Sequence, residues 1–276
     1  MVDVFSPLPF RGNPVAVIHD ADDLTDPQMA EVARWTNLSE TTFLCAPTTP
    51  AADYRVRIWT TGGELPFAGH PTLGSAHAWL EAGGMSSRPD VVVQECAAGL
   101  VPVHRGPTLA FEAPPLRRSG PVDPALSARV RDAIGLAAAE VVDMAWVDNG
   151  PGWVGVLLRD ARALLDLRVD LSRLDGLRVG LAAPWHGGHP DGCDLEVRAF
   201  YSDERDAAED PVTGSLNAGL AQWLVPAGHL PARYTAAQGG CVDRTGRVSV
   251  VVTGDGRTLV GGATRTLAEG RLALAN

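Results

Sequence analysis

Hydrophobic and polar residues alternate, or cluster in short apolar runs, along most of the chain, and this pattern is typical of β-strands. Gly, Pro and Asp residues separate the runs, as expected for turns. Each run is rich in β-branched or aromatic residues. Before residue 115 the pattern predicts strands at 2–5, 14–18, 41–45, 54–59, 91–95, 100–105 and 108–114.

Helical periodicity is predicted in fewer places. Residues 26–37 form an amphipathic pattern, with Asp26 as the predicted cap and Pro27 at the first helical position. Residues 70–82 predict a second, more apolar helix that ends at the glycine pair 83–84. The first part of the chain is therefore expected to combine a sheet of short strands with two helices.

The stretch 114–125, PPLRRSGPVDPA, is the densest loop-like region and is interpreted as a domain boundary. We expect two domains, 1–117 and 118–276, with the last strand returning to the first domain. Beyond the boundary, helices are predicted at 124–134 and 214–225, with a helix or irregular segment at 161–175. Strands are predicted at 143–148, 152–158, 177–183 and 195–201, and as hairpins from 232 to 265.

The second half of the sequence repeats the order of the first. Residues 64–76, ELPFAGHPTLGSA, align without a gap with residues 209–221, EDPVTGSLNAGLA, and five of the thirteen positions are identical. VRIW at 56–59 precedes the first copy, and VRAF at 197–200 precedes the second. In each half a strand and a polar loop lead into a helix that opens with glycine. We interpret the halves as two copies of one fold.

This repeat places a glycine, Gly69 or Gly214, at the start of each of two helices. Duplicated halves usually face each other about a pseudo-two-fold axis, so the helix N-termini are expected to share a cleft. Their unpaired N–H groups and partial positive charge favour an anion such as a carboxylate. Glycine lets a ligand approach the backbone closely. His70 stands where a capping residue is expected, and Ser215 is its counterpart.

Charge and composition exclude several classes of function. A net charge of −10 argues against a nucleic-acid partner, and no apolar run is long enough to span a membrane. All 23 basic residues are Arg, so no lysine is available for a Schiff base or a P-loop. The chain shows no secretory leader, so we expect a cytoplasmic protein. Four scattered cysteines are predicted to be reduced thiols: Cys45, Cys96, Cys193 and Cys241.

Four motifs, in order and consistently spaced, carry a resemblance to a known family: DVFSPLPFRGNPVAVI at 3–18, NLSETTF at 37–43, ELPFAGHPT at 64–72 and EDPVTGS at 209–215. Together they resemble the phenazine-biosynthesis isomerase (PhzF-like) family of the diaminopimelate-epimerase fold. The resemblance extends to the final hairpins. It implies an α+β fold of two pseudo-symmetric domains, each a β-barrel-like sheet around a central helix, with the active site between them.

The resemblance also implies the site residues: Glu40, Gly69, His70, Asp210, Gly214 and Ser215. Glu40 would be the catalytic carboxylate that removes a proton and returns it elsewhere on the substrate. His70 and Asp210 would be catalytic residues that orient the substrate and pass protons to it. The two glycines and the serine would bind the substrate through their backbone N–H groups. The family acts without a cofactor on a small carboxylic acid, and is often homodimeric.

One departure from the wider fold family limits the chemistry. Epimerases of the wider fold family use two cysteines, one at each helix start, whereas this chain has His70 and Ser215 at those places. We therefore expect an isomerase in which one carboxylate moves a proton on a small amino-bearing or cyclic acid. Two alternatives remain open: a racemase or epimerase that uses Glu40 with another base, and a non-catalytic protein that binds small carboxylates.

Two further motifs are not interpreted as cofactor sites. GPGWVG at 150–155 matches the dinucleotide pattern G-x-G-x-x-G, but a strand rather than a helix is predicted to follow it. HGGHPDGCD at 186–194 gathers His, Asp and Cys residues in a glycine-rich loop, without a second pair of ligands. No metal site is therefore expected.

Overall fold

The computed structural model describes residues 1–203 and 207–273. In this part of the chain the strands form one continuous network that is organised as two lobes. The first lobe contains two helices, α1 (Asp26–Thr36) and α2 (Gly69–Glu81). Its strands are β1 (Val2–Val4), β2 (Asn13–Ile18), β3 (Thr41–Cys45), β4 (Tyr54–Trp59), β5 (Glu64–Leu65), β6 (Val91–Cys96), β7 (Gly99–His104) and β8 (Leu109–Glu112), with β18 (Thr264–Thr266) added from the end of the chain.

The second lobe is built from the residues between β8 and β18. Its helices are α3 (Pro124–Ile134), α4 (Ala161–Asp166) and α5 (Gly214–Leu224). Its strands are β9 (Arg118–Pro121), β10 (Val141–Asp148), β11 (Val154–Leu158), β12 (Arg178–Pro184), β13 (Leu195–Ser202), β14 (Ala207–Asp210), β15 (Arg233–Gln238), β16 (Gly246–Val252) and β17 (Thr258–Gly262). Short 3-10 turns lie at Ala138–Glu140, Leu171–Arg173 and Gly240–Val242.

The two lobes repeat the same strand pairings. β2 and β3 are parallel, as are β11 and β12, and β4 and β6 are parallel, as are β13 and β15. The hairpins β6–β7 and β15–β16 are antiparallel in both lobes. The sequence repeat is thus a structural repeat. Antiparallel pairing of β8 with β17 joins the lobes, and β1 pairs with β18.

A nearly fully buried helix lies at the centre of each lobe. In α2, residues 69–76 and Ala78 are buried, and in α5 residues 214–221 and Leu224 are buried. Both helices are rich in Gly, Ala and Leu, and a helix that is apolar on all sides is expected in a core. The strands of each lobe surround these helices, so only the helix ends can reach a cleft.

The remaining helices cover the outer faces of the strands. In the first lobe, α1 packs Met29 and Val32 against a small cluster that includes Phe43 and Trp59. In the second lobe, α3 and α4 bury a larger cluster on the outer side of β11 and β12. Side chains of successive strand residues point to opposite faces, so each strand contributes to both an inner and an outer core.

Two local predictions from the sequence are wrong. Thr25, not Asp26, is the N-cap of α1, and its backbone N–H donates to Gln28 Oε1 at 2.9 Å. Asp26 instead accepts a hydrogen bond from Arg57 Nη1 at 2.7 Å. The stretch 114–125 is not loop throughout, because the exposed strand β9 lies within it and pairs with β10. A short polar edge strand carries no hydrophobic alternation, and for this reason the pattern missed it.

No helix in residues 1–203 and 207–273 is long and apolar enough to cross a membrane. The division of the chain into domains 1–117 and 118–276 stays a prediction.

Candidate active site

The N-terminal ends of α2 and α5 touch each other. A Cβ atom on Gly69 would lie 2.8 Å from Gly214 Cα, and one on Gly214 would lie 2.9 Å from Gly69 Cα. Any larger residue would overlap the opposite backbone, so the contact requires glycine on both sides. The sequence suggested that these glycines make room for a ligand, but the neighbour that they accommodate is the other helix.

Neither helix is capped by a side chain at this junction. The N-cap residues are Ala68 for α2 and Thr213 for α5, and neither side chain accepts a hydrogen bond from the first turn. Within the described residues, four backbone N–H groups at the junction have no acceptor: those of Gly69, His70, Gly214 and Ser215. Two positive helix ends meet there, so the junction favours a negatively charged group.

His70 lies one residue inside α2, so the prediction that it takes the capping position is wrong. Its side chain is buried, and its Nε2 lies 3.5 Å from Glu40 Oε2. The ring also hydrogen-bonds the Pro14 carbonyl. Because Nε2 has no hydrogen-bond partner among the described residues, this bond is made by Nδ1–H. Burial lowers the pKa of His70 to about 3, so the ring is neutral at physiological pH.

Glu40 lies in the short connection between α1 and β3. The left-handed Asn37 ends α1 and turns the chain inward, so that the Glu40 side chain is only 15% exposed. Burial and the neighbouring carboxyl of Asp210 raise the pKa of Glu40 to about 8, against an opposing effect of Arg178. Glu40 is therefore mostly protonated at pH 7 and can lose its proton at little cost.

Asp210 is the second buried carboxyl of the site and has a different environment. Its carboxylate accepts hydrogen bonds from Asn13 Nδ2 at 3.2 Å, from Ser39 Oγ at 3.5 Å and from the Thr213 hydroxyl. Burial raises the pKa of Asp210, and these three donors oppose the rise. Glu40 Oε2 has no such donor in the described part of the chain. We infer that Asp210 holds the negative charge while Glu40 holds the proton.

Ser215 is held in place by residues of the second lobe. Its hydroxyl oxygen accepts a hydrogen bond from Trp153 Nε1 at 3.1 Å, and its backbone carbonyl accepts one from Asn149 Nδ2 at 2.8 Å. The hydroxyl hydrogen is left to donate to a ligand.

A buried amide network fixes the loop between β14 and α5. Gln238 Nε2 donates to the Asp210 carbonyl at 3.1 Å and to the Thr213 hydroxyl at 2.9 Å. Gln238 Oε1 accepts from Thr213 N at 3.0 Å and from Asn217 Nδ2 at 2.9 Å. All of these groups are buried, so the network has few alternative arrangements. It orients Asp210 toward the first lobe.

The structure brings all six sequence-predicted site residues to the junction of the lobes, and their roles stay proposals. Sequence reasoning did not assign roles to the residues that orient them: Asn13, Ser39, Asn149, Trp153, Thr213 and Gln238. Asn13, Ser39 and Thr213 stand inside the family motifs, which was the available signal. Trp153 lies at a strand start, where an aromatic residue predicts only core packing.

The two motifs that were set aside have structural explanations. A strand, β11, follows GPGWVG, so this segment lacks the helix of a dinucleotide site. In the loop 186–194, His186 Nε2 lies 2.9 Å from the Arg159 carbonyl, and His189 packs edge-on against Trp185. In the described part of the chain, no three His, Cys, Asp or Glu side chains are grouped to hold a metal.

Comparison with known proteins agrees with this architecture. The family model described as phenazine biosynthesis-like protein matches residues 2–270. The chain belongs to this family. The prediction from the four motifs is thus confirmed. The family membership also confirms the predicted class of enzyme, an isomerase, and a relative of this class is named below.

Relatives match along most of the chain. Antisense-enhancing sequence 1 of Schizosaccharomyces pombe is 34% identical over 98% of this chain and 96% of its own length. Trans-2,3-dihydro-3-hydroxyanthranilate isomerase of Pseudomonas fluorescens is 34% identical and covers 83% of this chain and 80% of its own.

Solved structures share the fold. A protein from Pseudomonas aeruginosa described as a predicted epimerase superposes with a TM-score of 0.77 at 28% identity, and covers 99% of this chain and 98% of its own. A probable proline racemase from Agrobacterium radiobacter matches with a TM-score of 0.58 at 14% identity, over 99% and 92% of the chains. The predicted α+β fold of two pseudo-symmetric halves is confirmed. The homodimer implied by the resemblance stays a prediction.

Proposed function

We propose that the protein is a cofactor-independent isomerase that moves a proton on a small carboxylic acid, with Glu40 as both base and acid. One observation carries the proposal. A buried carboxyl with a pKa of about 8 faces a neutral imidazole at 3.5 Å, beside the junction of two uncapped helix N-termini. Such a group is matched to proton transfer near neutral pH.

The helix N-termini stabilise the negative charge that develops on the substrate during the reaction. Removing a proton from carbon beside an acid group builds negative charge in the transition state. Donors that are already fixed stabilise this charge without reorganisation. The four unpaired N–H groups at the junction meet this requirement, and the Ser215 hydroxyl adds a fifth donor.

Glu40 supplies the proton transfer itself. In its ionised form it removes a proton from one substrate carbon, and the resulting acid returns the proton to another carbon on the same face. The neutral His70 ring offers Nε2 as an acceptor toward the Glu40 carboxyl and so positions the carried proton. Asp210 keeps a negative charge nearby, which raises the proton affinity of Glu40. The residues at the two helix starts are Gly69 and His70, and Gly214 and Ser215, with no cysteine among them, which does not favour a two-thiol racemase.

The name of one relative supports a proposal for the substrate class. The Pseudomonas fluorescens enzyme is named for trans-2,3-dihydro-3-hydroxyanthranilate, a cyclic acid that bears an amino group. We propose that this chain acts on an acid of the same class. The four backbone N–H groups and the Ser215 hydroxyl at the junction are all hydrogen-bond donors, which supports a small, polar, anionic substrate.

The first test replaces Glu40 with Gln and follows trans-2,3-dihydro-3-hydroxyanthranilate in heavy water by proton NMR. General acid–base catalysis contributes about 10²–10⁴-fold. We therefore expect E40Q to lose at least about 10²-fold in turnover and in deuterium incorporation at carbon. The matched control is E64Q, because Glu64 lies in the same lobe and pairs with Arg57 outside the junction.

Turnover by E40Q near the wild-type rate would refute the assignment of the base. Inversion at one centre without movement of a double bond would instead indicate a racemase or epimerase. Binding without hydrogen exchange in the wild type would indicate a carboxylate-binding protein.

A further inference from the structure

The structural repeat assigns each residue of the first lobe an equivalent in the second. VRIW in β4 and VRAF in β13 align, so Trp59 corresponds to Phe200. Trp59 pairs with Thr41 of β3, and Phe200 pairs with Val179 of β12, in antiparallel ladders of the same kind. Thr41 and Val179 are therefore equivalent positions.

One residue earlier in the chain, Glu40 corresponds to Arg178. Each residue stands where its strand enters the lobe from the side of the helix N-terminus. The pseudo-two-fold relation that brings Gly69 against Gly214 therefore also sets Arg178 opposite Glu40. The proximity has an electrostatic effect, since Arg178 lowers the pKa of Glu40. The repeat has thus placed a carboxyl group on one side of the cleft and a guanidinium group on the other.

Among the residues that the structure describes, none engages the guanidinium of Arg178. Arg178 is half-buried, and no ion pair or side-chain hydrogen bond links it to another described residue. By contrast, Arg57 and Arg198 are each held by a bidentate pair with a glutamate. A half-buried guanidinium that no described residue pairs with has lost part of its hydration, and residues 1–203 and 207–273 supply no compensating contact. A carboxylate ligand would supply that contact in bidentate form.

The charges around the junction explain why an anionic substrate needs this residue. Glu40 and Asp210 both face the cleft, and His70 is neutral, so these side chains supply no positive charge. Helix N-termini contribute only partial charges. We propose that Arg178 is a substrate-binding residue that contacts the carboxylate of the substrate opposite Glu40. This inference rests on the proposed function, since it names the group that recognises the substrate of the same site.

The experiment measures binding rather than turnover, so it stands apart from the test of Glu40. Anthranilate, a stable amino-bearing carboxylate, and 2-aminobenzamide, its uncharged analogue, are titrated calorimetrically into the wild type and R178Q. We expect the wild type to bind anthranilate at least about 10-fold more tightly than the amide. R178Q should lose at least about 10-fold for anthranilate and be nearly unchanged for the amide. R178K should recover part of the loss, because it restores the charge but not the planar fork.

R173Q is the matched control, because it removes the same charge from an exposed residue five positions earlier that pairs with Asp132. Thermal unfolding of every variant checks that the fold is intact. The same Kd for anthranilate in R178Q and the wild type, or no preference of the wild type for the carboxylate, would overturn the inference. A loss of turnover in E40Q with unchanged anthranilate binding would leave the proposed function supported in either case.

Discussion

Arg57 pairs with Glu64 in the first lobe, and Arg198 pairs with Glu209 at the equivalent place in the second. Both pairs are bidentate, with distances of 2.7 Å in the first and 2.9 and 2.7 Å in the second. Their surroundings differ. The side chains of the first pair are 22% and 33% exposed, and those of the second are 6% and 9% exposed.

The second ion pair is less exposed because α4 lies over it. Arg198 Nη1 also donates to the carbonyls of Leu164 and Leu167 at the end of α4. The first lobe has α1 at the corresponding connection, and there Arg57 reaches the exposed Asp26 instead. The repeat has therefore kept the ion pair in both lobes, and in each lobe the arginine also contacts an outer helix. Arg57 does so through the exposed Asp26 side chain at the start of α1, and Arg198 through backbone carbonyls at the end of α4.

The junction shows the same divergence on a shared framework. Uncapped helices meet there symmetrically, yet the first lobe contributes Glu40 and His70 where the second contributes Arg178 and Ser215. The pair of Glu40 and His70 thus comes from the first lobe, whereas the second lobe supplies the carboxyl of Asp210 and the permanent positive charge of Arg178. The shared fold of the two lobes places two helix N-termini in contact, and the different side chains at equivalent positions give the cleft its different chemical groups.

The largest expected effect is a difference in how much the loss of each arginine lowers the free energy of unfolding. R198Q leaves Glu209 buried without its partner, and such losses cost about 3–5 kcal/mol in the free energy of unfolding. R57Q acts on a more exposed pair and should cost about 1 kcal/mol or less. Urea unfolding of both variants measures the difference. Equal losses would show that burial does not distinguish the pairs.

The next effect tests the titration of Glu40, which the first lobe contributes to the junction. The pKa of Glu40 rises from 4.5 to about 8 on folding, so the folded state prefers the protonated form. The contribution of protonated Glu40 to the free energy of unfolding is fully present below about pH 4.5 and is lost as the pH rises through about 8. The E40Q variant lacks this pH dependence. The difference in the free energy of unfolding between E40Q and the wild type should therefore shift in favour of E40Q by on the order of 2–4 kcal/mol from pH 5 to pH 9.

Chemical unfolding at the two pH values measures this gain. S215A, at the non-titrating helix start of the second lobe, is the control and should show no change with pH relative to the wild type. A gain of similar size in S215A would contradict the assignment to Glu40.

The smallest effect tests the symmetry of the junction. G69A and G214A each place a methyl group within 3 Å of the opposite helix. Overpacking of this kind costs about 1–3 kcal/mol. We expect similar losses from either side, with reduced turnover as the helix starts separate. G254A is the control, because no heavy atom beyond its chain neighbours lies within 4 Å of a Cβ at that position. A loss from one side alone would show that the contact is not symmetric.

Local signals predicted the framework well. The strands have strong β-branched patterns, and α2 and α5 are apolar with glycine at their first residue, so the repeat was visible in the sequence. The exposed β9 was missed because its residues, RSGP, show no alternation. The cap of α1 was misplaced by one residue, since Thr25 and Asp26 are both good capping residues and only geometry decides between them.

The electrostatics of the site were not predictable in the same way. Glu40 stands in a short polar connection, where local sequence predicts an exposed carboxylate. Its raised pKa depends on Asp210, 170 positions later in the chain, and on burial between the lobes. The family motifs identified the residue, but only the assembled junction explains its proton affinity. Arg178 has no motif at all and is recognised only through its structural equivalence with Glu40.

The pairing of β1 with β18 has a consequence for synthesis of the protein. Val2 is opposite Thr266 in this ladder, so the first strand to leave the ribosome can form this pairing only after β18, near the end of the chain, has been synthesised. Contacts of such long sequence separation form late. The nascent first lobe therefore has an incomplete wall until translation is nearly finished, and a premature stop before residue 264 would release a chain with β1 unpaired on that side.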